Sequence, residues 1–534
     1  MSRRRLLAGV AGAAGMIAAI TVLSRAVGFV RWFVQSATLG DSATANAYST
    51  ANMLPNVLFE VAAGGALAGA VVPLLAAPLA RALHRDVNRI ASALLTWTLL
   101  VLVPLGALVA LLAGPIVSLL PDSVGSDVAT QHWLATYFLR IFAIQIPLYG
   151  VGVVLTGVLQ AQRRFFYPAI APLASSIVVI VAYLGFGTMA GDLADDPSRL
   201  ADSALAWLSW GTTLGVAAMS LPLLVPVLRS GVRLRPVIRF PAGVGRRAVH
   251  LAAAGIGALL AQQVSVVVFI ALSRAGGVEG TITIWQYAQA VYFLPYAVLA
   301  VPVATAVFPR LAERAGTRDT AGFAAMAIGS TRTVLAAAFI GAGILAAVAP
   351  AATAVFSLRG PMAGMTTAVT LLAPGIVGYA LIFHVSRCLY AIDRGRAAVT
   401  ATATGWLTVS VAAFVLVRVT APGGGDGPAT LMSLALGTSI GMTVAGIGLL
   451  WALLRAVPPV SLGGLVRTVV TGSLSAVAAA LGGRVVTGLV LDSVGSLLVS
   501  GLLGAVAGGL VAVAIAGGGI ALADRGALRT AGWS

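Results

Sequence analysis

The chain has 534 residues, of which 59% are hydrophobic and only 9% charged, and its mean hydropathy is +1.00. Soluble domains carry roughly a quarter charged residues, so this composition excludes a soluble globular protein. All 33 basic residues are arginine, against 16 acids, for a formal net charge of +17. They lie mostly in short loops between apolar runs rather than in one patch, a distribution that speaks of membrane orientation and not of nucleic acid. The single cysteine, Cys388, excludes a disulfide framework and any CxxC or zinc arrangement within the chain.

Apolar runs of roughly 20 residues, long enough to cross about 30 Å of hydrocarbon, recur along the whole sequence. In chain order they predict helices near 8–38, 44–80, 88–119, 129–161, 166–189, 200–228, 245–273, 279–312, 320–348, 363–393, 397–419, 428–454, 464–490 and 493–522. The expected fold is an all-α polytopic membrane protein with about fourteen transmembrane helices. The opening SRRRLLAGVAGAAG has the form of a twin-arginine export signal, and read more simply Arg3 to Arg5 hold the first helix end in the cytoplasm. With that end inside, the even-numbered loops and both tails hold twenty-three arginines, among them Arg229, Arg233, Arg235, Arg239, Arg247 and Arg529. The outside loops hold only Arg199, Arg274, Arg359 and Arg418. Both termini are therefore expected in the cytoplasm of a multi-pass cell-membrane protein.

The sequence matches itself at a distance. LPNVLFEVAAGGALAGAVVPLLAAPLAR from Leu54 answers LPYAVLAVPVATAVFPRLAERA from Leu294, with Pro55 and Pro295 240 residues apart and Pro73 and Pro309 236 apart. LQAQRRFFYPAIAP from Leu159 answers LYAIDRGRAAVTA from Leu389, about 230 residues on. A six-span offset preserves orientation, so two six-helix lobes are expected as parallel repeats, with a substrate cavity where they meet and alternating access by rocking. The expected division is 1–240, 241–460, and two additional helices with a short tail over 461–534. Gly28, Gly64, Gly65, Pro147, Pro295, Pro302 and Pro374 would permit bends inside spans.

SRAVGFVR at Ser24 to Arg31, LPN at Leu54 to Asn56 with GGALAGAVVP after it, LQAQRRFFYPAIAP, AVFPRLAERA and LYAIDRGRAA resemble, in order, the signature segments of the MurJ/MviN lipid II flippases. These belong to the multidrug/oligosaccharidyl-lipid/polysaccharide exporter superfamily. The resemblance runs over about the first 400 residues; the last two spans match by hydropathy alone. It implies a flippase carrying an undecaprenyl-pyrophosphate-linked peptidoglycan precursor to the outer leaflet, a cationic cavity between lobes, and a lipid groove made with the last two spans. It also implies that Arg25 and Arg31 meet the pyrophosphate, with the membrane and cell-wall synthesis proteins as partners. The chain departs from the family pattern at Trp32 and Asn46, where acids are usual. It departs again at Phe59 and Glu60, after the LPN segment, and at Gln289 and Ala290 in YAQAVYFLP.

Charges inside spans cost about 3 kcal/mol or more at the bilayer centre, so they are the candidate substrate-binding groups. Arg25 and Arg31 are six residues apart, directed about 120° from one another on a helix. Either faces the cavity or snorkels to an interface. Glu60, the only acid deep in a span, has three readings: a partner of either arginine, a proton acceptor, or one half of a structural pair. Arg387, one turn from His384, and Gln289, in a polar stripe with Gln262, Gln263 and Gln286, complete the set. Arg140 and Arg332 sit near predicted helix ends, where snorkelling is expected. His84 and His250 read as loop or helix-end residues.

Nothing resembles an enzyme's acid/base or metal constellation: the acids Asp192, Asp195, Asp196 and Asp202 form an external loop without histidine, and GGGDG at Gly423 follows no strand. No catalytic residue, metal or cofactor is expected, nor direct drive by ATP. Beside the flippase stand two alternatives, an exporter of another lipid-linked glycan or amphiphile and a non-transporting cell-wall scaffold.

Overall fold

The computed structural model describes residues 3–61, 66–124, 127–241, 243–246, 248, 256–459 and 461–528. Gly64, Gly65, Arg247, His250 and Arg529 lie outside the described residues. Regular structure among the described residues is helical, apart from one isolated bridge between Val124 and Val278.

Eleven described helices are long and apolar enough to cross a membrane. They coincide with eleven of the expected spans. The span expected at 363–393 is a bent pair, Met365–Leu372 and Gly375–Ala391, inclined at 44° where Pro374 interrupts the hydrogen-bond ladder. The first two expected spans fall on the helix Arg3–Leu39, and on Ala43–Phe59 with Ala66–Ala80.

Contacts divide the chain into two units, Met1–Leu120 with Asp127–Leu259 and Pro121–Ser126 with Leu260–Ser534. In the first, Arg3–Leu39 packs along Phe166–Ala190, Ala43–Phe59 along Val128–Phe142, and His84–Leu111 along Gln145–Ala161. Tyr48 lies at its centre, with Phe138 and Phe142 edge-on to its ring at 5.7 and 5.5 Å. Each such pair contributes about 1 kcal/mol beyond area burial. The Tyr48 hydroxyl is 2.9 Å from the Tyr183 hydroxyl and 3.0 Å from Thr212 Oγ1, while Tyr183 donates to Gln35 Oε1 at 3.1 Å. Four helices are thereby joined by one buried polar chain, where an unpaired hydroxyl would be costly.

In the second unit Thr320–Phe356 runs through the middle, packed against both Gly463–Ser493 and Leu497–Ala523. Small residues allow the close approach that helix association in lipid requires. A Cβ on Gly437 would stand 2.7 Å from the backbone nitrogen of Ala413, so Gly427–Ala456 can lie directly on Gly395–Thr420.

Backbone conformation carries the repeat further than side chains do. Helix Gln145–Ala161 and helix Gly375–Ala391 are displaced by 230 residues at both ends. Four described non-glycine residues have positive φ: Ala82, Arg163, Arg318 and Asp393. Ala82 and Arg318 are 236 residues apart and Arg163 and Asp393 are 230 apart, the offsets read from the sequence. Each closes a helix with the same six-to-one hydrogen bond. Leu83 N donates to Pro78 O at 2.9 Å and Asp319 N to Arg314 O at 3.0 Å, while Arg164 N donates to Leu159 O and Arg394 N to Leu389 O, both at 2.8 Å. A π-helical turn also follows each LP step, at Glu60 and Val61 and at Tyr296–Ala300.

Candidate functional site

Arg25 and Arg31 lie on one uninterrupted helix that continues through Gly28. Ser24 Oγ donates to the carbonyl of Ala169 at 3.2 Å, tying this helix to Phe166–Ala190 at the level of Arg25. Arg25 is exposed, and Arg31 is half-buried with its guanidinium 5.4 Å from the Trp32 ring centroid. Their Cα positions are separated by about 9 Å along the axis. Among the described residues neither arginine has a carboxylate partner. A guanidinium cannot shed its proton, so both keep their full charge beside apolar helices.

Glu60 is half-buried in the π-helical turn that follows Ala43–Phe59. The extra backbone length of that turn re-aims side chains relative to a regular helix. Its neighbour Phe59 stacks on Tyr149 with ring centroids 4.5 Å apart. Tyr149 is within electrostatic range of both Arg31 and Glu60, and Tyr48 of Arg31. The first unit thus gathers Arg31, Glu60, Phe59 and Tyr149 in one neighbourhood, with a guanidinium, a carboxyl group and two stacked rings.

Gln289 and Arg387 belong to the second unit. Gln289 is half-buried on Thr281–Pro295. Arg387 lies 3.8 Å from the Phe383 ring centroid and donates to Thr305 Oγ1 at 3.3 Å. Residue 305 is sixteen positions beyond Gln289, past the π-helical turn, so the two predicted side chains stand at different levels of the span and do not share a subsite. Between them runs an aromatic ladder: Tyr292, Tyr296, Tyr379 and Phe383, with Tyr296 edge-on to Tyr379 at 4.8 Å and to Phe383 at 5.8 Å. Tyr379, Phe383 and Arg387 recur every fourth residue, the spacing that aligns side chains on one helix face. That spacing was visible in the sequence, although helical core packing produces the same signal.

Three polar residues have definite surroundings. Arg140 is exposed in the last turn of Val128–Phe142, but the apolar span runs on to Ala161, so Arg140 stands twelve residues inside it and not at its end. His384 faces the core: it is 1% exposed, with Nε2 3.0 Å from Ser330 Oγ and 3.7 Å from Cys388 Sγ, and does not join Arg387. Arg332 does not snorkel. It is paired at 2.6 Å with Asp524, which comes from the far end of the chain, and Arg332 Nε also donates to Thr468 Oγ1 at 3.1 Å.

The second unit also holds an apolar groove of about 470 Å³ between Thr320–Phe356, Gly375–Ala391, Gly427–Ala456 and Gly463–Ser493. Phe339, Ala346, Leu381, Ile447 and Ala476 form its walls. No group of three or more metal-ligating side chains occurs among the described residues.

The family model described as Lipid II flippase MurJ matches residues 35–502. Similar proteins include the "Probable lipid II flippase MurJ" of Rhizobium meliloti (strain 1021), 27% identical over 301 residues, which are 55% of this chain and 53% of that protein. The protein of the same description from Synechocystis sp. is 31% identical over 229 residues, 42% and 40% of the two chains. The "Lipid II flippase MurJ" of Burkholderia cenocepacia is 26% identical over 320 residues, 58% of each. The chain spans about half the length of the curated relatives it matches. Among solved structures, "Lipid II flippase MurJ, inward closed conformation" is similar with a TM-score of 0.70 at 19% identity, over 94% of this chain and 97% of that one. An inward-facing multidrug resistance MATE family transporter of the MOP superfamily gives 0.64 at 14% identity, over 80% and 94%. At these identities the structural likeness is one of fold. The family model covers most of the chain, and the chain therefore belongs to the MurJ family of lipid II flippases.

Proposed function

We propose that this protein carries a polyprenyl-pyrophosphate-linked cell-wall precursor, of the lipid II type, from the cytoplasmic to the outer leaflet by alternating access. The observation that carries this reading is the pair Arg25 and Arg31, permanent charges on a membrane helix without a carboxylate partner among the described residues. A diphosphate supplies the missing counter-charge, and planar guanidinium groups grip it bidentately. Trp32 and the Phe59–Tyr149 stack beside Arg31 offer flat apolar surface of the kind that sugar rings and isoprene units cover. The apolar groove of the second unit, whose walls present no charge, is of the chemistry that an isoprenoid chain requires. Glu60 is the group that exchanges a proton or an arginine partner as the phosphate enters and leaves. Gln289 and Arg387 meet different parts of a long head group, which suits their places at different levels of the span. In this reading 1–240 and 241–460 are the moving lobes, 461–534 is an addition, both termini are cytoplasmic, and the chain performs no covalent chemistry.

The experiment is complementation of cells depleted of an authentic lipid II flippase, with precursor translocation measured directly. The intact gene restores translocation. Arg25→Ala and Arg31→Ala each reduce it about 10- to 100-fold, the worth of one charge-assisted bidentate contact. Full translocation by both variants refutes the site. Failure of the intact gene points instead to an exporter of another lipid-linked glycan, a reading favoured by Phe59 and Glu60, where the resemblance expects basic residues, and by uncharged Gln289 and Ala290, where it expects an acid and an arginine.

A further inference from the structure

The chain leaving the helix Leu224–Arg229 does not hang free as a loop. Residues 232–240 run as an extended strap along the arginine-rich end of His84–Leu111. Arg233 N donates to Asn88 Oδ1 at 3.0 Å, Arg235 N to Ser92 Oγ at 3.1 Å and Val237 N to Thr96 Oγ1 at 3.1 Å. Two residues of extended chain advance about 6.6 Å and four residues of helix about 6.0 Å, so alternate strap amides meet one polar side chain per helical turn. Pro236, which has no amide hydrogen, falls on the alternate register where none is needed. Trp97 Nε1 closes the ladder on Ile238 O at 2.9 Å; the chain then turns back, and Arg89 Nε donates to Arg239 O at 3.2 Å.

The same alternation sorts the strap's side chains on either side of Pro236–Ile238. Val232 is buried and Leu234 and Phe240 pack against the core of the first unit, while Arg233, Arg235 and Arg239 are exposed. Along one flank lies a groove of about 480 Å³ formed by Leu95, Leu99, Val103, Pro104 and Pro236, with Arg235 on its rim. Its surroundings are apolar and uncovered: Leu100 and Val103 are each 49% and Ile238 60% exposed. On a membrane helix such a surface faces lipid. The acid near this end is Asp86, in the first turn of the helix, against exposed Arg85 and Arg89 and the three strap arginines.

We propose that the strap and groove form a binding site for one anionic phospholipid. Arg235, flanked by Arg233 and Arg239, holds the headgroup phosphate, and an acyl chain lies along Leu99, Val103 and Pro104. Apolar walls select a lipid over a free anion, and the clustered guanidinium groups select an anionic lipid over a zwitterionic one. The site differs from the substrate groove of the second unit in both position and lining.

Native mass spectrometry of the full-length protein, titrated in detergent with phosphatidylglycerol or phosphatidylcholine, tests this without any transport assay. Phosphatidylglycerol is retained preferentially, and each of Arg233→Gln, Arg235→Gln and Arg239→Gln weakens retention about fivefold. These side chains are exposed and the ladder uses backbone amides, so the variants fold, which their melting temperatures check. Val103→Trp fills the groove and weakens retention with every arginine in place. The controls Arg396→Gln and Arg467→Gln, which each remove one exposed charge elsewhere, leave retention unchanged. Equal retention of both lipids, undiminished retention by all three variants, an equal loss in the controls, or full displacement by inorganic phosphate alone overturns the proposal.

Discussion

Replacing Asp524 by leucine tests whether charge fastens Gly463–Ser493 and Leu497–Ala523 to Thr320–Phe356 within the second unit. The Asp524 side chain is 2% exposed, and its carboxylate accepts from Arg332 at 2.6 Å and from Thr468 Oγ1. The guanidinium occupies space left by two glycines: a Cβ on Gly464 would stand 2.8 Å, and one on Gly526 3.1 Å, from its nitrogens. Breaking a buried pair costs about 3–5 kcal/mol, because the surviving charge loses its counter-ion without regaining water. Arg332 is 22% exposed and keeps part of its hydration, so Asp524→Leu belongs at the low end, about 3 kcal/mol. Arg332→Met strands the more deeply buried carboxylate and belongs at the high end, about 5 kcal/mol. The double variant Arg332→Met/Asp524→Leu removes both charges and returns to within about 1–2 kcal/mol of the parent. Equilibrium unfolding in detergent, read as a double-mutant cycle, gives the coupling energy. A double variant as unstable as the sum of the two single ones refutes the clamp.

Positive φ at non-glycine residues leads to a prediction of opposite sign within five positions. Ala82→Gly relieves left-handed strain and stabilises the protein by about 1 kcal/mol, whereas Ala77→Gly, within the preceding helix, costs about 1 kcal/mol; both are measured by unfolding, and equal signs refute the strain argument. Asp41, in the turn between Arg3–Leu39 and Ala43–Phe59, has its carboxyl raised above 3.8 by burial, opposed by a backbone hydrogen bond and reinforced by nearby Asp195. Ionisation therefore costs the folded state more than the unfolded one: the penalty is absent below pH 3.8, grows as pH rises towards the folded value and is complete above it. Asp41→Asn should raise the melting temperature at pH 7, with the gain vanishing as pH falls to 3.8; a gain independent of pH refutes the assignment.

Hydropathy made most of the spans legible because lipid demands an unbroken run of apolar residues and a fully bonded backbone. Pro374 announced the bend at 44°, and the prolines at offsets of 240 and 236 announced the repeat. The helix stops were less visible: Ala82, Arg163, Arg318 and Asp393 take the conformation usually left to glycine, so no breaker marks them. Arg25 and Arg31 stood out because an arginine in an apolar run requires an explanation. Arg332 was misread because its partner, Asp524, is 192 residues away and pairing across that distance leaves no local pattern. The strap was read only as charge. Its alternation of Val232, Leu234 and Phe240 with arginines was present, but an extended segment pinned by helix side chains, rather than by a second strand, follows no familiar period.

The paired left-handed residues have a consequence for how such a repeat is recognised. A methyl group at Ala82 stands where its counterpart has the guanidinium of Arg318, and the cation of Arg163 stands where its counterpart has the anion of Asp393. The side chains at these corners differ, even to opposite charge, while the sign of one dihedral angle is shared. A repeat within a membrane protein can therefore be sought in its torsion angles where the letters no longer match.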